Sequence, residues 1–165
     1  MHASNAIRSF ALATCMLLAA CSGKGSADAT AGSTGSGKVV GCEALEGVDF
    51  SAMLGQPLSA KAQERRPDPN EAGYTACELG GDTALVLLQV WQGGGGDRYF
   101  GMYVDGNADA HAIPGLGKQA ALSNSSIYAS SGENLFSLKI VGFGNEIPAE
   151  ARIAAARKVY ANLGW

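Results

Sequence analysis

Ile113-Pro-Gly-Leu-Gly-Lys-Gln-Ala-Ala-Leu-Ser-Asn-Ser-Ser-Ile-Tyr-Ala-Ser-Ser-Gly-Glu-Asn-Leu-Phe-Ser-Leu-Lys-Ile-Val-Gly-Phe143 is the stretch that decides the fold. It reads as a tight Pro-Gly turn, a short strand, a second strand, a polar turn and a strongly apolar strand. A helix from Pro148 to Leu163 completes it. Ile153, Ala156, Val159, Tyr160 and Leu163 recur on one face of that helix, with Arg152, Arg157 and Lys158 on the solvent side. Pro148 suits the first helical position, Glu150 the positive end of the dipole, and Gly164 the stop. Antiparallel strands followed by a terminal amphipathic helix predict an α+β domain, with the apolar face of the sheet backed by helices.

Upstream of Ile113, the residues Tyr99, Phe100, Met102, Tyr103 and Val104 fit a short helix or a strand. The 99/103 and 100/104 spacings favour a helix, which Asp97 would cap. Gly93, Gly94, Gly95 and Gly96 form an unbroken run that suits a hinge or wide turn. Bare backbone also admits close approach, so the run is a candidate ligand edge. Thr83 to Gln92 is a β-rich run, Gly80-Gly81-Asp82 a turn and Tyr74 to Leu79 a strand, together a hairpin. Lys61 to Gly73 is polar and interrupted by Pro67 and Pro69, which predicts an exposed loop. Phe50 to Leu54 fits a short helix capped by Asp49 and ended by Gly55.

The amino end reads as an address and an anchor. Arg8 precedes an apolar run, Phe10 to Ala20, too short for a bilayer span of roughly 20 apolar residues. The run ends in Leu18-Ala19-Ala20-Cys21, which resembles the lipobox of bacterial lipoproteins. The resemblance implies diacylglycerol on the Cys21 sulfur, cleavage before it and acylation of the freed amine. Several acyl chains hold a protein on a membrane where one alone is marginal. Ser22 rather than Asp follows the cysteine, which favours the outer membrane, facing the periplasm, in a host with two membranes. Residues 1–20 are thus expected to be a signal peptide, 21–38 a flexible Gly/Ser/Ala tether and 39–165 one globular domain.

Composition narrows the function. The chain has 165 residues, 47% hydrophobic and 16% charged. One of its 12 basic residues, Arg8, precedes Cys21 and none of its 15 acidic ones does, so the part from Cys21 onward carries a net charge of about −4. No basic cluster exceeds Arg65-Arg66, which argues against nucleic acid as a partner. Cys15 leaves with the signal peptide and Cys21 takes the lipid. Cys42 and Cys77 remain as an even pair in an exported chain and predict a disulfide. A loop of about 36 residues closed by it is worth on the order of 3–4 kcal/mol. Its role is structural rather than redox, since no C-x-x-C is present. His111 is the other candidate metal ligand, too few for a zinc site.

The search for chemistry yields little. Gly32-Ser-Thr-Gly-Ser-Gly37-Lys38 matches the first part of a phosphate-binding loop, but Val39 stands where the magnesium hydroxyl belongs and no apolar strand precedes Gly32. A hydrolytic nucleophile needs a base within reach, and His111 is a lone loop histidine just before a Pro-Gly turn, where such a residue is usually just exposed. Asp105 and Asp109 could share a helix face as a carboxylate pair, although acidic pairs on solvated faces are common. No catalytic residues and no cofactor are expected, and the chain reads as a non-enzyme.

Cys42, the helix ending in Leu54-Gly55, Cys77 just before a long strand, the element Ile113-Pro-Gly-Leu-Gly-Lys-Gln-Ala120 and the Ala-rich final helix together carry a resemblance over residues 41–163. The pattern is similar to secreted bacterial lipoproteins of unknown function that share a fold with extracellular sensor domains of bacterial serine/threonine kinases. Lys118 stands where an acidic residue is often found. The resemblance implies an antiparallel sheet backed by helices, a groove for a small molecule and no catalytic set. The expected function is therefore an envelope-anchored, non-catalytic binding module for a small hydrophobic molecule or an envelope protein, held at the membrane by lipid on Cys21. The alternatives are a structural or inhibitory protein acting through surface contacts, and then a hydrolase.

Overall fold

The structure is a computed structural model that describes residues 41–65, 73–144 and 146–165. Cys15, Cys21, the expected signal peptide and tether, and the phosphate-loop match at 32–39 lie outside them. The described residues form one seven-stranded antiparallel sheet with helices on both faces, the α+β architecture expected. A 3₁₀ turn at Cys42–Leu45 leads into α1, Phe50–Leu54. The strands are β1 (Gln63–Arg65), β2 (Tyr74–Gly80), β3 (Ala84–Trp91), β4 (His111–Ala112), β5 (Gln119–Ser123), β6 (Ser126–Ser130) and β7 (Leu135–Gly142). Helices α2 (Gly96–Val104) and α3 (Ala149–Leu163) complete the order.

The sheet order β1-β2-β3-β7-β6-β5-β4 reveals two meanders joined along β3 and β7. After β3 the chain crosses the sheet as α2, reaches the far edge at β4 and works back until β7 pairs with β3 over eight residues. Strand alternation sorts the side chains between the two faces. Ala84, Val86, Leu88 and Val90 of β3 are buried against α3, α1 and the 3₁₀ turn, in one cluster with Phe136, Leu138, Ile140, Ile127 and Val159. On the opposite face, Phe100 of α2 packs on Ala121 and Leu135, flanked by Trp91, Tyr99, Val104 and Tyr128. β7 is buried on both faces from Leu135 to Leu138, and Lys139 is exposed where the cover of α2 ends.

The Pro-Gly element is a plug. Ile113 and Leu116 enter the core, while Gly115 and Gly117 hold left-handed backbone at φ 66° and 64°. A Cβ at Gly117 would stand 2.5 Å from the Ser130 carbonyl oxygen, so only glycine fits. Arg157 of α3 donates to the Gly115 and Pro114 carbonyls at 2.6 and 2.8 Å, and Arg152 to the Asn124 carbonyl at 3.0 Å. Arg157, exposed as expected, and the half-buried Arg152 also clamp the helix to sheet loops, because carbonyls left bare by the turns offer them partners. Pro148 caps α3 from just outside rather than occupying its first turn.

Other local readings differ as well. Gln63–Arg65, expected as loop, pairs antiparallel with β2, and Arg65 forms an ion pair with Glu78; partner strand and charge together outweigh polar composition. His111 belongs to the edge strand β4 rather than a loop. Asp97 does not cap α2, whose N-cap is Gly95, because other groups claim its carboxylate. The helix stops at Val104, so Asp105 is its C-cap and Asp109 lies in the following turn, not on a shared helical face.

Candidate functional site

Three places draw attention: the glycine run, the face beside α2, and a cleft at the disulfide. The glycine run carries the chain from β3 into α2. Gly93, Gly94 and Gly95 have φ of 94°, 109° and 85°, a succession that L side chains rarely adopt. Gly96 is buried, and a Cβ there would lie 2.4 Å from the Asn134 carbonyl oxygen. The backbone N–H groups of Gly96 and Asp97 donate to the Glu133 and Gly132 carbonyls at 3.0 and 3.1 Å. The partner that approaches this backbone so closely is the β6–β7 turn.

Asp97 fixes the same corner. Its carboxylate accepts from Gln119 Nε2 and Ser130 Oγ, each at 2.9 Å, and from Lys118 Nζ. The hydrogen bonds from Lys118 and then Ser130 hold its pKa below the ordinary carboxylate value. One carboxylate thereby ties the start of α2 to β6 and to the Pro-Gly element.

The face beside α2 is aromatic. Trp91 lies 5.2 Å from Tyr74, 6.2 Å from Tyr99 and 5.4 Å from Tyr103, and Tyr103 stacks on Tyr128 at 5.4 Å. Most of this ring area seats α2 on the sheet. Met102 and Tyr103 remain 65% and 40% exposed, and Leu85, Leu87 and Val141 on the uncovered part of the face are half-buried.

The cleft lies on the other side, between the first helical segments and the chain leading into β1. Its volume is about 670 Å³, in the range of small-molecule sites. Val48, Leu58, Ala60, Ala62 and Leu79 are apolar lining residues, interleaved with polar and charged ones, and Leu45 and Phe50 lie buried behind them. Glu43, Glu46, Asp49 and Lys61 are the charged lining residues. The Cys42–Cys77 disulfide joins the 3₁₀ turn to β2, with Cys42 in the cleft wall. Asp49 Oδ1 accepts the Ala52 N–H at 2.9 Å and Gly55 ends α1 at φ 66°. Asn162 of α3 donates to the Ala44 and Glu46 carbonyls at 3.0 and 2.9 Å, fixing the 3₁₀ turn from behind. On the opposite wall Ser59 is bonded through both its N–H and its hydroxyl to Gly80. The walls are therefore held by covalent and hydrogen-bonded ties.

His111, Asp105, Asp109 and the glycines 93–96 do not line the cleft. His111, Asp105 and Asp109 are exposed. Sequence reading reached the disulfide but not the cleft, whose lining comes from segments that only the fold brings together. Among the described residues, no group of three or more His, Cys, Asp or Glu is placed to hold a metal ion, and no helix is long and apolar enough to cross a membrane. Comparison with protein-family models, curated proteins and solved structures finds no match.

Proposed function

We propose that this chain is a lipid-anchored, non-catalytic binding module of the bacterial envelope that takes a small hydrophobic molecule in the cleft beside the disulfide. The observation that carries the reading is the cleft itself: about 670 Å³, walled by a disulfide-tied segment, with Val48, Leu58, Ala60, Ala62 and Leu79 among its lining residues. Concave apolar sites with a few polar groups are where small ligands bind. Leu18-Ala19-Ala20-Cys21 and the Gly/Ser/Ala stretch after it support the anchor and tether, with the outer membrane as the site in a host with two membranes. The pattern of Cys42, Leu54-Gly55, Cys77 and the Pro-Gly element supports kinship with envelope lipoproteins related to kinase sensor domains.

The test uses the full chain with Cys21→Ser, which removes the lipid, and the neutral fluorophore N-phenyl-1-naphthylamine. Its fluorescence should rise with the protein and lose most of that rise when Ala62→Trp is added to fill the cleft. No rise, or an equal rise in the Ala62→Trp variant, overturns the reading.

A protein partner is the second reading, favoured by the exposed Met102 and Tyr103 of α2 and by the half-buried Leu85 and Leu87 of β3. Met102→Glu would abolish a partner's binding there and leave fluorophore binding intact.

A further inference from the structure

We infer that a second site, at the amino end of α3, takes a small zwitterion: a free α-amino acid of about glycine size, its carboxylate on Arg152 and its ammonium at Glu146. The site shares no lining residue with the disulfide-side cleft and stands independently of that reading.

Arg152 supplies the first half. It is half-buried on α3, and its Nη1 donates to the Asn124 carbonyl at 3.0 Å. Its Nε is closed off from solvent and has no acceptor. A guanidinium always has its protons to donate, and buried donors are nearly always hydrogen-bonded. A buried N–H without a partner therefore marks where an acceptor belongs, and a ligand that meets it recovers the cost of leaving it unmet. Nε and Nη2 form one edge of the guanidinium, spaced to give two parallel hydrogen bonds to a carboxylate.

The room for an acceptor lies alongside. Arg152 lines a cavity of about 160 Å³ together with Ser125, Gly142 and Glu146. At about 30 Å³ for each water, that is the share of roughly five waters, which suits a molecule of a few heavy atoms and excludes a nucleotide or a lipid. The sheet itself makes this space. β7 continues through Ile140, Val141 and Gly142 beyond Lys139, its last partner in β6. The Ile140 N–H donates to the Ser125 carbonyl at 3.3 Å, so residues 140 and 142 turn their backbone polar groups to the side where β6 has ended.

Glu146 supplies the second half. It is exposed on the loop between β7 and α3, and with Arg152 it makes up the charged lining of the cavity. A plain anion on Arg152 meets repulsion from the Glu146 carboxylate, and a plain cation at Glu146 meets repulsion from the guanidinium. A molecule that carries both charges a few atoms apart answers both groups. An α-amino acid is a compact molecule with that arrangement, and the volume restricts its side chain to a hydrogen or a methyl.

The experiment uses the full chain with Cys21→Ser and three probes built on one backbone: glycine, N-acetylglycine with the carboxylate alone, and glycinamide with the ammonium alone. Binding is followed by the amide NMR shifts of Ser125 and Gly142. Glycine should shift both saturably and bind about tenfold or more tighter than either singly charged probe, roughly what one further charge contact supplies. Arg152→Lys keeps the positive charge without the guanidinium edge and should weaken glycine about tenfold. Glu146→Gln, at an exposed position that does not endanger folding, should bring glycine down to the level of N-acetylglycine. If glycine shifts neither amide, if N-acetylglycine or glycinamide binds as tightly as glycine, or if Glu146→Gln leaves the affinity for glycine unchanged, the inference is overturned.

Discussion

At the scale of single residues, two glycines and one aspartate hold corners that no other side chain would. Gly117 combines φ 64° with 2.5 Å of room before the Ser130 carbonyl oxygen. Gly117→Ala should cost about 1–3 kcal/mol from the backbone alone, with the clash adding to it, read as a lowered denaturant midpoint. Gly96→Ala, which meets Asn134 instead, should cost about 1–3 kcal/mol by overpacking. Asp97 predicts a pH dependence. Its pKa is lower in the folded chain than in the unfolded one, first through the Lys118 hydrogen bond. Its stabilising contribution is therefore complete at neutral pH and is lost as pH falls through the ordinary aspartate range toward the depressed value. Asp97→Asn should flatten that part of the stability profile, measured by urea unfolding between neutral and acid pH; an unchanged acid slope would contradict the assignment.

At the scale of elements, legibility followed whether a signal was local. The Asp49 cap and Gly55 stop frame α1, the alternation of β3 gives the hairpin, and the apolar stripe gives α3; each is written in adjacent residues. β1 and β4 are edge strands of three and two residues, made by pairing with β2 and β5 rather than by their own composition. No local pattern encodes that. The start of α2 differs from its sequence reading for a similar reason: Lys118, Gln119 and Ser130, distant in sequence, take the Asp97 carboxylate that would otherwise cap it. The disulfide belongs to this scale too, because it joins the 3₁₀ turn to β2. Cys42→Ser with Cys77→Ser should lower stability by about 3–4 kcal/mol. It should also weaken N-phenyl-1-naphthylamine binding, since Cys42 lines the cleft wall; a destabilised protein with unaltered binding would separate the bridge from the site.

At the scale of the whole molecule, the proposed function joins an anchor, a tether and a domain with a cleft beside its disulfide. The anchor is proposed from a contiguous motif, Leu18-Ala19-Ala20-Cys21, which sequence alone can carry. The cleft was not legible, because it is assembled from residues 42–51, 58–62 and Leu79 across a disulfide and a sheet edge. Cys21→Ser should move the protein from the membrane pellet to the soluble fraction after cell fractionation, while a chain that stays in the pellet would contradict lipid anchoring there. The central claim is that the cleft holds a ligand, and native mass spectrometry of the full chain, gently extracted from its own envelope, tests it most directly. The expected result is an added mass beyond the acyl groups that leaves on unfolding and is missing from the Ala62→Trp variant. A bare mass in the unaltered chain, or an adduct that persists in the Ala62→Trp variant, would contradict it.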